Sequence, residues 1–222
     1  MVAGRPAEHA GATGGAGPKG AAIAAAALRL FLRDGYERTS VDAIAAAAGV
    51  SKRTIYNRYG DKETLFLSVL RETSASMLAK FRDIADAHLT DVTDVEAGLT
   101  AFLRETVVTL TMAVDRIALM RLILTEAPYF PALLRQERGN EGMHATLARA
   151  LGHLAGAGKL TIADPDEASE HLFALTLGRA NERSMFGGKL GDAEIDRIVA
   201  GGVRVFLCAY GPAGRGGDQA FE

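Results

Sequence analysis

A single cysteine, Cys208, is all the thiol chemistry this 222-residue chain holds. One thiol forms no intrachain disulfide and is too few for a thiolate zinc site, which excludes a disulfide-stapled secreted scaffold and points to a reducing, cytoplasmic setting. Long apolar runs are lacking as well. The longest near the N-terminus, Ala21 to Leu28, is far short of the roughly 18 residues that suggest a membrane span, and its alanines make a poor signal-peptide core. Neither a membrane partner nor an export signal is expected. Charge of one sign is also missing: the formal net is -2, which excludes a uniformly basic coat protein for nucleic acid. The charges are unevenly spread, however. Residues 1–70 carry nine Lys/Arg against six Asp/Glu, whereas residues 71–222 carry sixteen against twenty-one, so a local basic module is allowed.

Strand signals are nearly absent, with no long period-two alternation and no Asn-Gly or Asp-Gly hairpin between alternating runs. What is present is helical spacing, and the fold class it predicts is all-α. Ile23, Ala26, Ala27, Leu30 and Phe31 place one apolar stripe on a first helix that stops near Gly35. Short helices are predicted at about 41–48 and 51–58, and a longer one opens behind the capping Asp61 and continues past residue 80. Further helices are predicted at 93–112, 114–126, 130–156, 165–186 and 192–210. At the ends, residues 1–18 contain five Gly, five Ala and two Pro, and residues 211–222 contain four Gly and one Pro. Neither stretch can bury enough apolar surface to offset chain entropy, so both read as flexible tails around an ordered 19–210.

The most informative stretch runs from Ser40 to Lys62 and reads as helix, tight turn, helix. Ser40 can cap the first helix, Gly49 suits a turn position with positive φ, and Ser51 can cap the second. With Ile55 set to zero and about 100° per residue, Tyr59 and Ser51 fall within about 40° of it, while Arg53 and Asn57 fall on the opposite side. Ile55 and Tyr59 should then face a core. The surface left outside is Arg53, Thr54, Tyr56 and Asn57, with Lys52, Arg58 and Lys62 around it. From Ser51 to Lys62 there are four cations and one anion, a local charge suited to a small DNA-reading element. Arg can bond guanine bidentately, Asn can pair with adenine and a Thr methyl can contact thymine, all at major-groove edges.

Spacing here also carries a resemblance. The residues Ile23-x-x-Ala26-Ala27-x-x-Leu30-Phe31-x-x-x-Gly35-Tyr36, then Thr39-Ser40-Val41, then Ile44-Ala45-x-x-Ala48-Gly49-Val50-Ser51-Lys52-x-Thr54-Ile55-Tyr56, then Tyr59-x-Asp61-Lys62-Glu63-x-Leu65 closely resemble the TetR family of bacterial transcriptional regulators. The resemblance implies an N-terminal three-helix helix-turn-helix DNA-binding domain at 19–72 and a larger helical ligand-binding and dimerisation domain at 73–210. It further implies a homodimer bound to a double-stranded DNA operator, usually a repressor released by a small-molecule effector. Lys52, Thr54, Tyr56 and Lys62 occupy positions where family members touch bases or phosphates, and Tyr59 stands where the family usually has Phe. Together with Ser40, Ser51, Arg53 and Asn57, these form the candidate DNA-binding set. One position departs from the pattern. Many members carry a basic residue where this chain has Asp42, which leaves the first helix of the motif little to offer DNA beyond its N-terminal amides, Ser40 and nearby Arg38.

The body is less distinctive. Arg121 to Pro131 resembles a stretch of the AefR-like subset of the family, and the last two helices resemble those that pair between protomers, which puts Leu175, Leu177, Gly178, Val199, Val203 and Phe206 at a dimer interface. Met77, Phe81, Phe102, Met120, Tyr129, Phe130, Met143 and Phe173 are the candidate walls of a pocket for a small apolar or amphipathic effector, and each also suits plain core packing. His144, His153 and His171 lie nine and eighteen residues apart without a helical i, i+4 spacing or a carboxylate cluster, so no metal is expected. Gly11 to Gly20 lacks the Lys-Ser/Thr of a phosphate-binding loop, and no nucleophile-base pair or paired carboxylates stand at catalytic spacing, so neither cofactor nor enzyme activity is expected. A second reading stays open, in which the body senses a ligand or partner and the motif binds DNA weakly.

Overall fold

The computed structural model describes residues 17–111, 114–130, 140–187 and 190–212. The stretches read as tails fall outside these, apart from 17–18 and 211–212. Among the described residues there are helices and no strands. The chain divides into two compact units, residues 1–73 and 74–222, with the division inside one continuous helix.

The first unit contains α1 (Pro18–Asp34), α2 (Val41–Ala48), α3 (Lys52–Tyr59) and the first turns of α4 (Lys62–Leu89). Each start has a local cause. Proline opens α1, where a missing N–H is harmless, and Ser40, Ser51 and Asp61 accept amide hydrogen bonds from Ala43, Thr54 and Thr64. The expected stripe of α1, Ile23 to Phe31, is buried, as are Val41 and Ile44 of α2, Ile55 of α3 and Leu65, Phe66 and Leu70 at the start of α4. Phe31 and Phe66 meet edge to face at 4.9 Å. Thr39 closes the loop between α1 and α2 from within, its buried hydroxyl donating to the Gly35 carbonyl at 2.7 Å.

The second unit holds the rest of α4, α5 (Val95–Thr106), α6 (Val114–Glu126), α7 (Asn140–Gly156), α8 (Pro165–Phe173), α9 (Arg179–Gly187) and α10 (Asp192–Tyr210). Its core joins Phe81 and Ile84 of α4, Leu99, Phe102 and Leu103 of α5, Leu147 and Leu151 of α7, Leu172 of α8, and Val199, Val203 and Phe206 of α10. Two π-helical turns interrupt spans that the sequence presents as single α-helices. One, Val107–Thr111, follows α5 in a run rich in β-branched residues, and the other, Ala174–Gly178, joins α8 to α9. α10 comes close to the second turn at Gly202. A Cβ there would run into the Thr176 side chain and stand 2.9 Å from the Leu175 carbonyl oxygen. The helix expected at 130–156 is described only from Asn140, with Phe130 in the irregular chain before it. No helix among the described residues is long and apolar enough to cross a membrane.

Candidate nucleic-acid interface

The candidate DNA-binding side chains of the first unit stand mostly on α3, and the turn before it sets how that helix leaves α2. Gly49 takes the left-handed conformation, φ 65° and ψ 33°, and its N–H closes the end of α2 onto the Ala45 and Ala46 carbonyls. Two residues later Ser51 opens α3, its oxygen accepting the Thr54 N–H at 3.1 Å and lying 2.8 Å from the Thr54 hydroxyl. With Ile55 and Tyr59 buried, α3 has one anchored face. Lys52, Arg53, Tyr56 and Asn57 are exposed on the other, Tyr56 at 42% despite its aromatic ring. Thr54 is half-buried and Ser40 is exposed at the start of α2.

Three placements depart from the sequence reading. Tyr59, expected from the helix spacing to face a core but also counted among the candidate DNA contacts, is a core residue at 6% exposure, because its ring continues the Ile55 face one turn on. Burial pushes its phenol upward in pKa, against a hydrogen bond from Arg58 that lowers it. Arg58 itself turns inward instead of framing the outer face. Its guanidinium packs on Gly20 of α1, where a Cβ would stand only 2.8 Å from Cζ, and lies 5.9 Å from the Tyr59 ring centre. Lys62 is held too, its ammonium 4.1 Å from the Tyr36 ring centre and donating to the Glu37 carbonyl at 3.4 Å.

The departure at position 42 has a partner. The Asp42 carboxylate accepts from the Lys52 ammonium at 2.9 Å, across the turn from α2 to α3. This hydrogen bond, reinforced by the charge of Asp42, holds the Lys52 ammonium above its usual pKa. Arg53 makes no hydrogen bond or ion pair to any described residue.

This arrangement of a capped helix, a left-handed glycine turn and a second helix with an apolar inner and cationic outer face has matching relatives. The profile of bacterial regulatory proteins of the tetR family matches residues 23–69, and that of the C-terminal domain of AefR-like transcriptional repressors matches residues 97–212. The DNA-binding transcriptional repressor TetR of Mycobacteroides abscessus is 31% identical over 198 residues, covering 82% of this chain and 90% of its own. The chain belongs to the TetR family. Among solved structures, a protein from Mesorhizobium loti assigned to the TetR-family transcriptional regulators is similar with a TM-score of 0.81 at 33% identity, over 87% of this chain and 96% of that one. The flavonoid-responsive regulator FrrA gives 0.67 at 30% identity, over 88% and 98%.

In the TetR body, the candidate effector residues differ widely in burial. Phe81 and Phe102 are fully buried and meet edge to face at 5.3 Å, which makes them core. Tyr129 departs furthest from an enclosed pocket wall. It is 78% exposed, because it lies in the turn that ends α6. Phe130 is buried, Met77 and Met120 are half-buried, and Met143 and Phe173 pack partly exposed against the core. A cleft of about 370 Å³ lies elsewhere, between the end of α4 and α7, lined among others by Arg82, Asp86, Leu89, Arg149, His153 and Lys159. None of the eight candidates lines it, and its largely polar lining, spread over two helices far apart in sequence, gave no signal for it.

The histidines have protein partners or stand apart. His144 Nδ1 lies 3.2 Å from the Ser169 hydroxyl and His171 Nδ1 lies 2.7 Å from the Tyr210 hydroxyl, tying α8 to α7 and α10. No group of metal-binding side chains occurs among the described residues. The apolar residues of α10 read as a dimer interface, Val199, Val203 and Phe206, are buried within the protomer instead, as is Leu177. Half-exposed Leu175 and Gly178 are left, and the large apolar side chains that do reach the surface nearby are Phe186, 86% exposed, and Val205, 54% exposed.

Proposed function

We propose that the protein is a TetR-type transcriptional repressor that binds a palindromic operator as a homodimer in the cytoplasm and leaves it when a small molecule occupies the body. The observation that carries the reading is the outer face of α3, where Arg53, Tyr56 and Asn57 are exposed over a helix locked from below by Ile55 and Tyr59. Residues 19–72 form the DNA-binding domain in this reading and residues 73–210 the ligand-binding and dimerisation domain. Arg53 and Asn57 read base edges, Tyr56 and Thr54 add ring and methyl contacts, and Ser40, Ser51 and Lys62 hold phosphates, with Lys52 at the edge beside Asp42. Tyr59 supports the helix from beneath. Two-fold symmetry then asks for two half-sites about 34–36 Å apart, one helical turn of DNA.

The effector in this reading is a small apolar or amphipathic molecule. FrrA, described as flavonoid-responsive and alike over most of both chains, supports that class. Phe186 and Val205, apolar and exposed on α9 and α10, support a second copy as partner. The test is to recover bound sequences from a pool of randomised duplexes. Enrichment of a palindrome with half-sites one turn apart is expected, and failure to enrich any sequence contradicts the reading. The Asp42–Lys52 pair favours a second reading, a sensor with weak DNA affinity, whose signature is retained effector binding with no enriched duplex.

A further inference from the structure

The four cations between Ser51 and Lys62 are not equally available. Arg58 lies on Gly20 and the Tyr59 ring, Lys62 is steadied by Tyr36 and Glu37, and Arg53 has no partner among the described residues. Lys52 is engaged by a carboxylate, that of Asp42 on the neighbouring helix. Both side chains are open to solvent, 48% for Lys52 and 69% for Asp42, and an ion pair so exposed adds little to folding. Nor is Asp42 needed as a cap, since Ser40 already accepts the Ala43 N–H at the start of α2. An acidic side chain with so small a structural task stands beside the proposed DNA-reading helix and takes up one of its cations.

We propose that Asp42 is a built-in competitor for DNA phosphate, which holds the Lys52 ammonium away from the duplex backbone and so lowers sequence-indifferent affinity while the base-reading face of Arg53, Tyr56 and Asn57 stays exposed. The inference rests on the DNA-binding reading above and names the contact that this chain gives up. A lysine that must leave a carboxylate to reach a phosphate exchanges one anion for another, and the released carboxylate adds a negative charge at the interface. The net release of DNA counterions, which drives non-specific binding, falls by about one phosphate contact per head. Contacts to base edges do not depend on that exchange. A phosphate contact carries no sequence information, so its loss weakens binding to every duplex by a similar factor and leaves base-edge discrimination as it was.

The experiment measures binding of the full-length protein to a fluorescent random-sequence duplex of about 30 base pairs, enough for two heads one turn apart, across a salt series. For Asp42→Asn, which keeps side-chain size and removes the charge, non-specific affinity rises several-fold and the slope of log K against log salt steepens by about 0.9 per head. Lys52→Ala changes the wild-type slope much less, and adding it to Asp42→Asn abolishes the gain. An Asp42→Asn protein with unchanged slope and affinity overturns the proposal, as does one that binds more weakly, which would make Asp42 a support for a productive Lys52. A gain that survives in the double variant overturns it too, since the effect would then be loss of a negative charge and not release of Lys52. These failures leave the DNA reading intact. A wild-type protein that binds no duplex at low salt removes that reading, and this proposal with it.

Discussion

The ammonium of Lys62 stands 4.1 Å from the centre of the Tyr36 ring, and that ring in turn lies 4.8 Å from Phe66, one of the fully buried side chains of the head. A surface cation is thus positioned by the core through one aromatic residue. Attraction of this kind is worth about 0.5–1 kcal/mol at an exposed site. Tyr36→Leu should weaken DNA binding by about two- to fivefold as Lys62 loses its seat, and Tyr36→Phe should retain wild-type affinity. Fluorescence anisotropy on the selected duplex checks both.

Arg53→Ala and Tyr56→Ala remove exposed side chains from α3 without touching Ile55 or Tyr59. Each should cost about 1–3 kcal/mol of operator binding, with Arg53→Ala relaxing discrimination at one base position. Thermal melting and the oligomeric state should stay as in the wild type. Unchanged operator affinity in both variants would place the DNA contacts elsewhere.

Asp61 accepts the Thr64 N–H at 2.7 Å at the start of α4, and this backbone hydrogen bond, ahead of one from the Thr64 hydroxyl, holds its carboxyl below the usual pKa. A carboxyl lowered by folding contributes stability that is present above its unfolded pKa of about 3.9 and is lost as pH falls through the folded value. Asp61→Ala should therefore destabilise the protein by about 1 kcal/mol near neutral pH. The gap from wild type should close as pH falls below about 4, as urea unfolding at several pH values will measure.

Much of the head is legible in the sequence because its signals are local. Ser40, Ser51 and Asp61 accept amide hydrogen bonds within three residues, Gly49 marks the left-handed turn, and the i, i+4 pair Ile55 and Tyr59 defines the inner face of α3. What spacing does not reveal are contacts between elements. The Asp42–Lys52 pair spans ten residues and two helices, and Arg58 turns inward because Gly20, far away in sequence, leaves room for it. In the body, apolar periodicity identifies Val199, Val203 and Phe206 as a packed face but not what covers it, and the protomer itself does. The π-turns escape notice for a similar reason, since one extra residue in a helical span leaves the apolar count unchanged.

Phe81 and Phe102 separate a core role from a pocket role. Fully buried and in edge-to-face contact, they should each cost about 3–5 kcal/mol of stability when changed to Ala. A pocket wall would instead change effector affinity with little effect on unfolding. Urea denaturation of the two variants decides between these outcomes.

Gly202 should be the most constrained glycine of α10, since a methyl group there meets Thr176 and the Leu175 carbonyl. Gly202→Ala is expected to destabilise the protein by about 1–3 kcal/mol through overpacking. Gly201→Ala, which meets nothing within 4 Å, serves as the control and should be neutral or slightly stabilising. Calorimetry of the pair gives the comparison.

The central claim, that this chain is an operator-binding regulator, is tested most directly by titrating the purified protein against the DNA upstream of its own gene, at two salt concentrations and with an unrelated duplex as competitor. The account predicts tight binding that the competitor does not remove, two protomers per palindrome and affinity that falls as salt rises. Binding that is absent, or equal on the unrelated duplex and on every sequence recovered from a randomised pool, would contradict it.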